Sequence, residues 1–194
     1  MITTEQIKEL RDQTGVSIMQ CKKALEEAGG DANKAIVILQ KKSGATAAKK
    51  SERNLGSGTI SSYVHAGGTV ASMVEVACET DFVARNEDFQ KLAYEIAMHV
   101  AAMNPEFLSP DDITEEKKTS ALEVFQKEVE GKDASMKEKI LDGKMKSYFQ
   151  ERALLTQTYI KDPNLTIDDL VKIAVQKFGE NIRVIRYSRF AVGE

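Results

Sequence analysis

Tryptophan is absent from these 194 residues, aromatic residues make up only 6%, and cysteine and histidine occur twice each. Each shortage removes a class of function. Cys21 and Cys78 give no disulfide framework and no metal-ligand spacing, and His65 and His99 lie far apart. A zinc site would need four ligands gathered from distant segments, so no metal and no cofactor is expected. Buried, reduced thiols are the expected state of both cysteines. No apolar run approaches the length of a membrane span, and Met-Ile-Thr-Thr-Glu at the start carries no charged-then-apolar leader. The expectation is a cytoplasmic chain with no membrane partner.

Catalytic constellations are missing as well. The glycines at 56, 58, 67 and 68 sit around turns, without the spacing of a nucleotide-binding loop. There is no Gly-x-Ser-x-Gly elbow, and no histidine stands beside a nucleophile with an orienting acid. Asp111-Asp112 and Asp168-Asp169 begin helical stretches, where the macrodipole accounts for paired carboxylates. His99 reads as a structural residue of a helix. These gaps argue against an enzyme and for a binding protein. A formal net charge of −3 argues further against direct nucleic-acid binding.

What is present is 42% hydrophobic and 29% charged residues, enough for one core and a small satellite. Residues 1–42 read as three short helices. Thr3 or Thr4 caps the first, with Ile7, Leu10 and Thr14 at helical spacing before Gly15. Ser17 caps the second, with Ile18, Cys21, Leu25 and Ala28 on one face; Asp31 caps the third, with Ala35, Ile36 and Leu39 inward. Residues 43–58, with Lys49, Lys50 and Arg53, form a basic connector whose first part can be helical. The overall acidity favours a solvated linker over a phosphate-seeking patch.

From Thr59 the period becomes two. Alternating runs on either side of Ala66-Gly67-Gly68 predict a hairpin. A helix from about Asn86 to Met103 buries Phe89, Leu92, Ala93, Ile96 and Val100, and Pro105 follows it. Residues 113–158 read as an antiparallel helical hairpin turning near Gly131–Ser135, with Leu141, Met145, Tyr148, Leu155 and Tyr159 at near-heptad spacing. Such a hairpin either projects from the body or lies flat on it. Thr166 caps a helix closed by Phe178-Gly179. The final strand, 182–192, has apolar residues on both parities, so it is covered on both faces or bulged. The fold class is α+β, a small antiparallel sheet of about three strands packed with helices, its core spanning 59–194. A three-stranded sheet leaves a vulnerable edge, and a second subunit over its free face favours a dimer.

Thr80-Asp81-Phe82-Val83-Ala84-Arg85-Asn86 joins the second strand to the long helix. An acid followed by a bulky aromatic at such a corner points outward readily. Phe82 entering a partner's cleft would release about 2–3 kcal/mol of apolar burial. Asp81 could compete for polar groups that support a partner's metal ion. The spacing equally allows Phe82 to cap the local core with Asp81 as a helix N-cap.

This run resembles the signature of the elongation factor Ts family, the guanine-nucleotide exchange factors of elongation factor Tu. Leu10-Arg11, Thr14-Gly15, Cys21-Lys22-Lys23-Ala24-Leu25 and Gly30-Asp31 resemble that family's ubiquitin-associated-like three-helix module. Gly143-Lys144-Met145-Lys146, Gln157 and Arg189-Phe190-Ala191-Val192-Gly193-Glu194 extend the likeness across the chain. The resemblance implies that Asp81 and Phe82 enter the partner's G domain and disturb its magnesium site, with Thr80 and Val83 shaping the turn and Ala84, Arg85 and Asn86 completing the motif. It implies separate docking of the N-terminal module through Leu10, Arg11, Thr14, Gly15 and Met19. Val16, Ser17, Ile18 and Gln20 depart from the family's usual Ala-Gly or Ala-Pro and Met-Met-Asp. The implied partner is elongation factor Tu, GDP-bound and nucleotide-free. The chain resembles the short members with a single strand set, which dimerise through the sheet, implying a two-plus-two complex. A ubiquitin-type adaptor, or a small enzyme using His99 and Cys78, are the competing readings.

Overall fold

The computed structural model describes residues 2–129 and 134–194 of the chain. Its N-terminal helices are α1 (Thr4–Thr14), α2 (Ile18–Glu27) and α3 (Ala32–Lys50). Sequence dictates their ends. Thr3 and Gln6 form a reciprocal capping box at the start of α1, and Gly15 ends it at φ +66°. Ser17 caps α2 and Asp31 caps α3 through side-chain oxygens. Leu10, Val16, Cys21, Ala24, Leu25, Ala35 and Leu39 form a small separate core. Ile18, expected inward, is 57% exposed instead. It is the first residue of α2, a turn ahead of the buried Cys21.

Helix α3 runs on to Lys50, through the first part of the expected connector. Its second half packs along α8 (Ile167–Phe178), and Lys50 Nζ donates to the Gly179 carbonyl at 2.6 Å. That contact gives the segment a reason to stay helical.

Strands β1 (Ser57–Val64), β2 (Val70–Cys78) and β3 (Ile182–Ala191) form one antiparallel sheet in the order β1-β2-β3. The β1–β2 turn places Gly67 and Gly68 at φ +93° and +69°, a region that favours glycine. A register shift opposite Glu75/Val76 leaves Ile185 as an extra residue in β3. That bulge explains the two parities of its apolar residues.

One face of the sheet receives α5 (Glu87–Met103), with α8 alongside. Val74, Val76, Cys78, Val184, Phe89, Ile96, Val100, Ile167 and Val175 make the main core. In β1 it is Thr59, Ser61 and Tyr63 that turn inward, Tyr63 meeting Tyr94 edge-on at 5.7 Å. Ile60 and Val64 point the other way, with Met73 and Phe190. The outer face is therefore partly apolar and bare among the described residues.

Helices α6 (Glu115–Glu128) and α7 (Ala134–Gln150) lie antiparallel. Phe125 meets Tyr148, while Glu128 pairs with Lys144 one turn on. Their extensive packing is with each other, so the hairpin projects from the body. The expected turn falls mainly at 130–133, outside the described residues. Helix α7 ends eight residues before 158. Leu154 and Leu155 donate their N–H groups to Phe107 and Leu108, and this pairing pulls the chain out of the helix. Leu154 and Tyr159 consequently belong to the body's core rather than to the hairpin seam.

Candidate functional site

The corner after β2 is built from two opposing tendencies. Val83 and Ala84 are buried and anchor the single turn α4 (Asp81–Ala84) to the core. Phe82, between them and Asp81, is 85% exposed. Its ring does not cap the local core. Asp81 is not the N-cap either. Thr80 holds that position, and Asp81 lies in the first turn, paired with Arg85 at 3.2 Å. Asn86 caps α5 by accepting from the Asp88 N–H at 2.9 Å.

Thr80 caps nothing with its hydroxyl, which donates to Glu180 Oε1 at 2.5 Å. Glu180 Oε2 accepts the N–H groups of Thr80 at 3.0 Å and Glu79 at 3.1 Å. The Thr80 carbonyl accepts from the Ala84 N–H at 3.2 Å and from the Cys78 thiol at 3.2 Å. Every polar atom of Thr80 is thus engaged. In return, Glu79 Oε1 accepts the Asn181 N–H at 2.6 Å and meets Arg53 at 3.4 Å. The Asn181 hydrogen bond, then Arg53, holds the Glu79 carboxyl below its usual range. Asn181 Nδ2 donates to the carbonyls of Ser51 and Arg53, tying in the segment before β1. Glu79, Glu180 and Asn181 carry no motif that sequence reading could single out, because their partners lie about a hundred positions away.

The other implied docking residues are placed unevenly. Arg11, Gly15 and Met19 face solvent, Met19 at 65%. Thr14 is half-buried, its hydroxyl donating to the Leu10 carbonyl at 2.6 Å. Leu10 is buried in the module's core, so its side chain presents no surface and supports Arg11 and Thr14 from below. The loop at Gly15 and the start of α5 meet through Lys177 on α8. Its ammonium lies 2.7 Å from Asp88, and its stem passes beside Gly15.

The residues of the enzyme reading are closed off. His99 is fully buried, donating Nε2–H to Gln157 Oε1 at 2.9 Å, and burial holds its pKa below the ordinary value. Cys21 and Cys78 are buried, and burial pushes both thiols up. Among the described residues no three His, Cys, Asp or Glu gather as metal ligands. No helix there is long and apolar enough to cross a membrane.

The family described as Elongation factor TS matches residues 44–194. An elongation factor Ts of Thermosipho melanesiensis is 46% identical over 196 residues, covering 100% of both chains. That of Thermodesulfovibrio yellowstonii is 48% identical, covering 100% of this chain and 97% of the relative. That of Herpetosiphon aurantiacus is 47% identical, covering 99% and 98%.

Proposed function

Because the chain belongs to the elongation factor Ts family, we propose that it binds elongation factor Tu in its GDP-bound and nucleotide-free forms and promotes GDP release. The observation that carries this reading is Phe82, a large aromatic at 85% exposure, two residues from Thr80, whose N–H, hydroxyl and carbonyl are all hydrogen-bonded, and next to buried Val83. An apolar side chain held out from a rigid corner is pre-organised to enter a cleft, because little freedom is lost on insertion. Asp81, beside it, brings a carboxylate to groups that support the partner's magnesium ion, and weakening those supports loosens GDP. Arg11, Gly15 and Met19 dock the N-terminal module separately on the same partner, and Thr14 shapes their loop.

No covalent bond is made or broken. The factor acts by binding nucleotide-free partner more tightly than GDP-bound partner, and by linkage GDP and the factor weaken each other's binding equally. The setting is the cytoplasm, with no nucleic acid or membrane contacted directly. The module spans 1–42, the connector 43–58 and the core 59–194. Two copies pair through the bare sheet face carrying Ile60, Val64, Met73 and Phe190, giving a two-plus-two complex. The test is release of labelled GDP from elongation factor Tu. With unlabelled GDP in excess, substoichiometric factor should speed the loss of labelled GDP from the whole pool of partner, and an unchanged release rate would overturn the reading.

A further inference from the structure

We propose that Glu180 is a positioning residue for exchange, gripping Thr80 so that the Asp81-Phe82 corner meets the partner in one fixed attitude. The proposal rests on the exchange function above. Phe82 makes no use of the core for support, so only its backbone can aim it. On one side that backbone is anchored by buried Val83 and Ala84. On the other side stands Thr80, whose N–H and hydroxyl both end on the Glu180 carboxylate.

An N-cap threonine ordinarily accepts from its own helix. Here the hydroxyl is diverted to a residue about a hundred positions away, and α4 goes without a side-chain cap. The sheet does not need this grip. Cys78 pairs with Ile182 in the ladder just inside it, and Glu79 ties the same turn through the Asn181 N–H. Removing the Glu180 carboxylate therefore frees the corner while strand pairing stays in place. A reacting or wedging group set loose by a fraction of an ångström loses much of its effect.

The experiment measures GDP release from elongation factor Tu at saturating factor, together with the half-saturating concentration, for wild type, E180A, E180Q and T80V. E180A should lower the maximal rate about tenfold while half-saturation moves less than about twofold, since separate docking is untouched. E180Q should retain most of the rate. Its amide oxygen can accept both N–H groups, and its amide N–H can meet the Thr80 hydroxyl. T80V, which deletes one hydrogen bond and keeps the residue's shape, should fall in the same direction by a smaller factor. It decides the matter if E180A does not fold. Wild-type maximal rates in folded E180A or in T80V would overturn the proposal. So would E180Q as slow as E180A, which would make the charge rather than the grip the active element. Failure of wild type to speed release, or a normal rate for Phe82→Ala, would instead bring down the exchange reading beneath it.

Discussion

Lys177 reaches from the last turn of α8 to Asp88 in the first turn of α5, 2.7 Å from nitrogen to oxygen, with Gly15 against its stem. The loop after α1 and the first turn of α5, just beyond the 80–86 corner, are thereby brought against one side chain. Gly15 has φ +66°, and a Cβ there would meet Lys177 Nζ at 3.3 Å. G15A should lower stability by about 1 kcal/mol, through the left-handed backbone together with that contact. Lys177→Ala breaks a partly exposed pair and should cost no more than about 1 kcal/mol. Urea midpoints check both. A G15A midpoint equal to wild type would contradict the account of this junction.

Phe82 and Phe89 are seven positions apart and opposite in consequence. Phe89 is fully buried and meets Phe178 edge-on at 6.1 Å, so Phe89→Ala should cost about 3–5 kcal/mol. Phe82→Ala should leave stability within about 0.5 kcal/mol of wild type. Denaturation curves of the two variants, measured side by side, separate core from surface at this corner.

His99 predicts a pH dependence with a definite sign. Its neutral ring is buried against Gln157 and Tyr159, and its Nδ1 has no hydrogen-bond partner among the described residues. Burial lowers its folded pKa below 6.5. At higher pH the ring is neutral in both states, so its contribution is complete there. As pH falls below 6.5 the unfolded chain takes up a proton that the folded protein refuses, and stability drops until the buried ring itself protonates. Asp31, Glu79 and Asp88, whose carboxyls are lowered by hydrogen bonding first of all, lose their contribution only at more acid pH. Urea unfolding between about pH 7 and pH 5.5, with the His99 ring followed by NMR, checks this window. A ring that titrates at or above its ordinary pKa would contradict it.

Phe190, at 69% exposure, shares the outer sheet face with Val64 and Met73. If that face joins two copies, Phe190→Asp buries an unpaired charge at the junction. It should shift sedimentation from dimer toward monomer. A wild-type distribution in the variant would count against pairing through this face.

Much of this architecture is legible in the sequence because its signals are local. Thr3, Ser17, Asp31 and Thr166 cap the helices they precede, Gly15 and Gly179 end theirs, and period two marks the hairpin strands β1 and β2. Phe89, Ile96 and Val100 announce the buried stripe of α5 in the same way. Local spacing cannot report contacts between distant segments. The near-heptad run through Leu155 and Tyr159 breaks because residues 107–108 recruit that backbone, and α3 continues because α8 lies beside it. At the candidate site, Thr80 to Asn86 stand out as a motif, whereas Glu79, Glu180 and Asn181 become meaningful only once the turn after α8 meets the end of β2. The apolar residues of β1 show a related limit. Alternation places Ile60 and Val64 on one face, but only the assembled sheet shows that α5 covers the other.

The central claim is that the exposed corner drives release. Its most direct measurement is stopped-flow release of labelled GDP from elongation factor Tu at saturating concentrations of wild type and of a D81A/F82A double variant. Both side chains face solvent, so the variant should unfold at the wild-type denaturant concentration. It should still bind the partner through its N-terminal module, with release slowed at least about tenfold, the kinetic equivalent of about 1.4 kcal/mol. A folded, partner-bound double variant that releases GDP as fast as wild type would contradict the account.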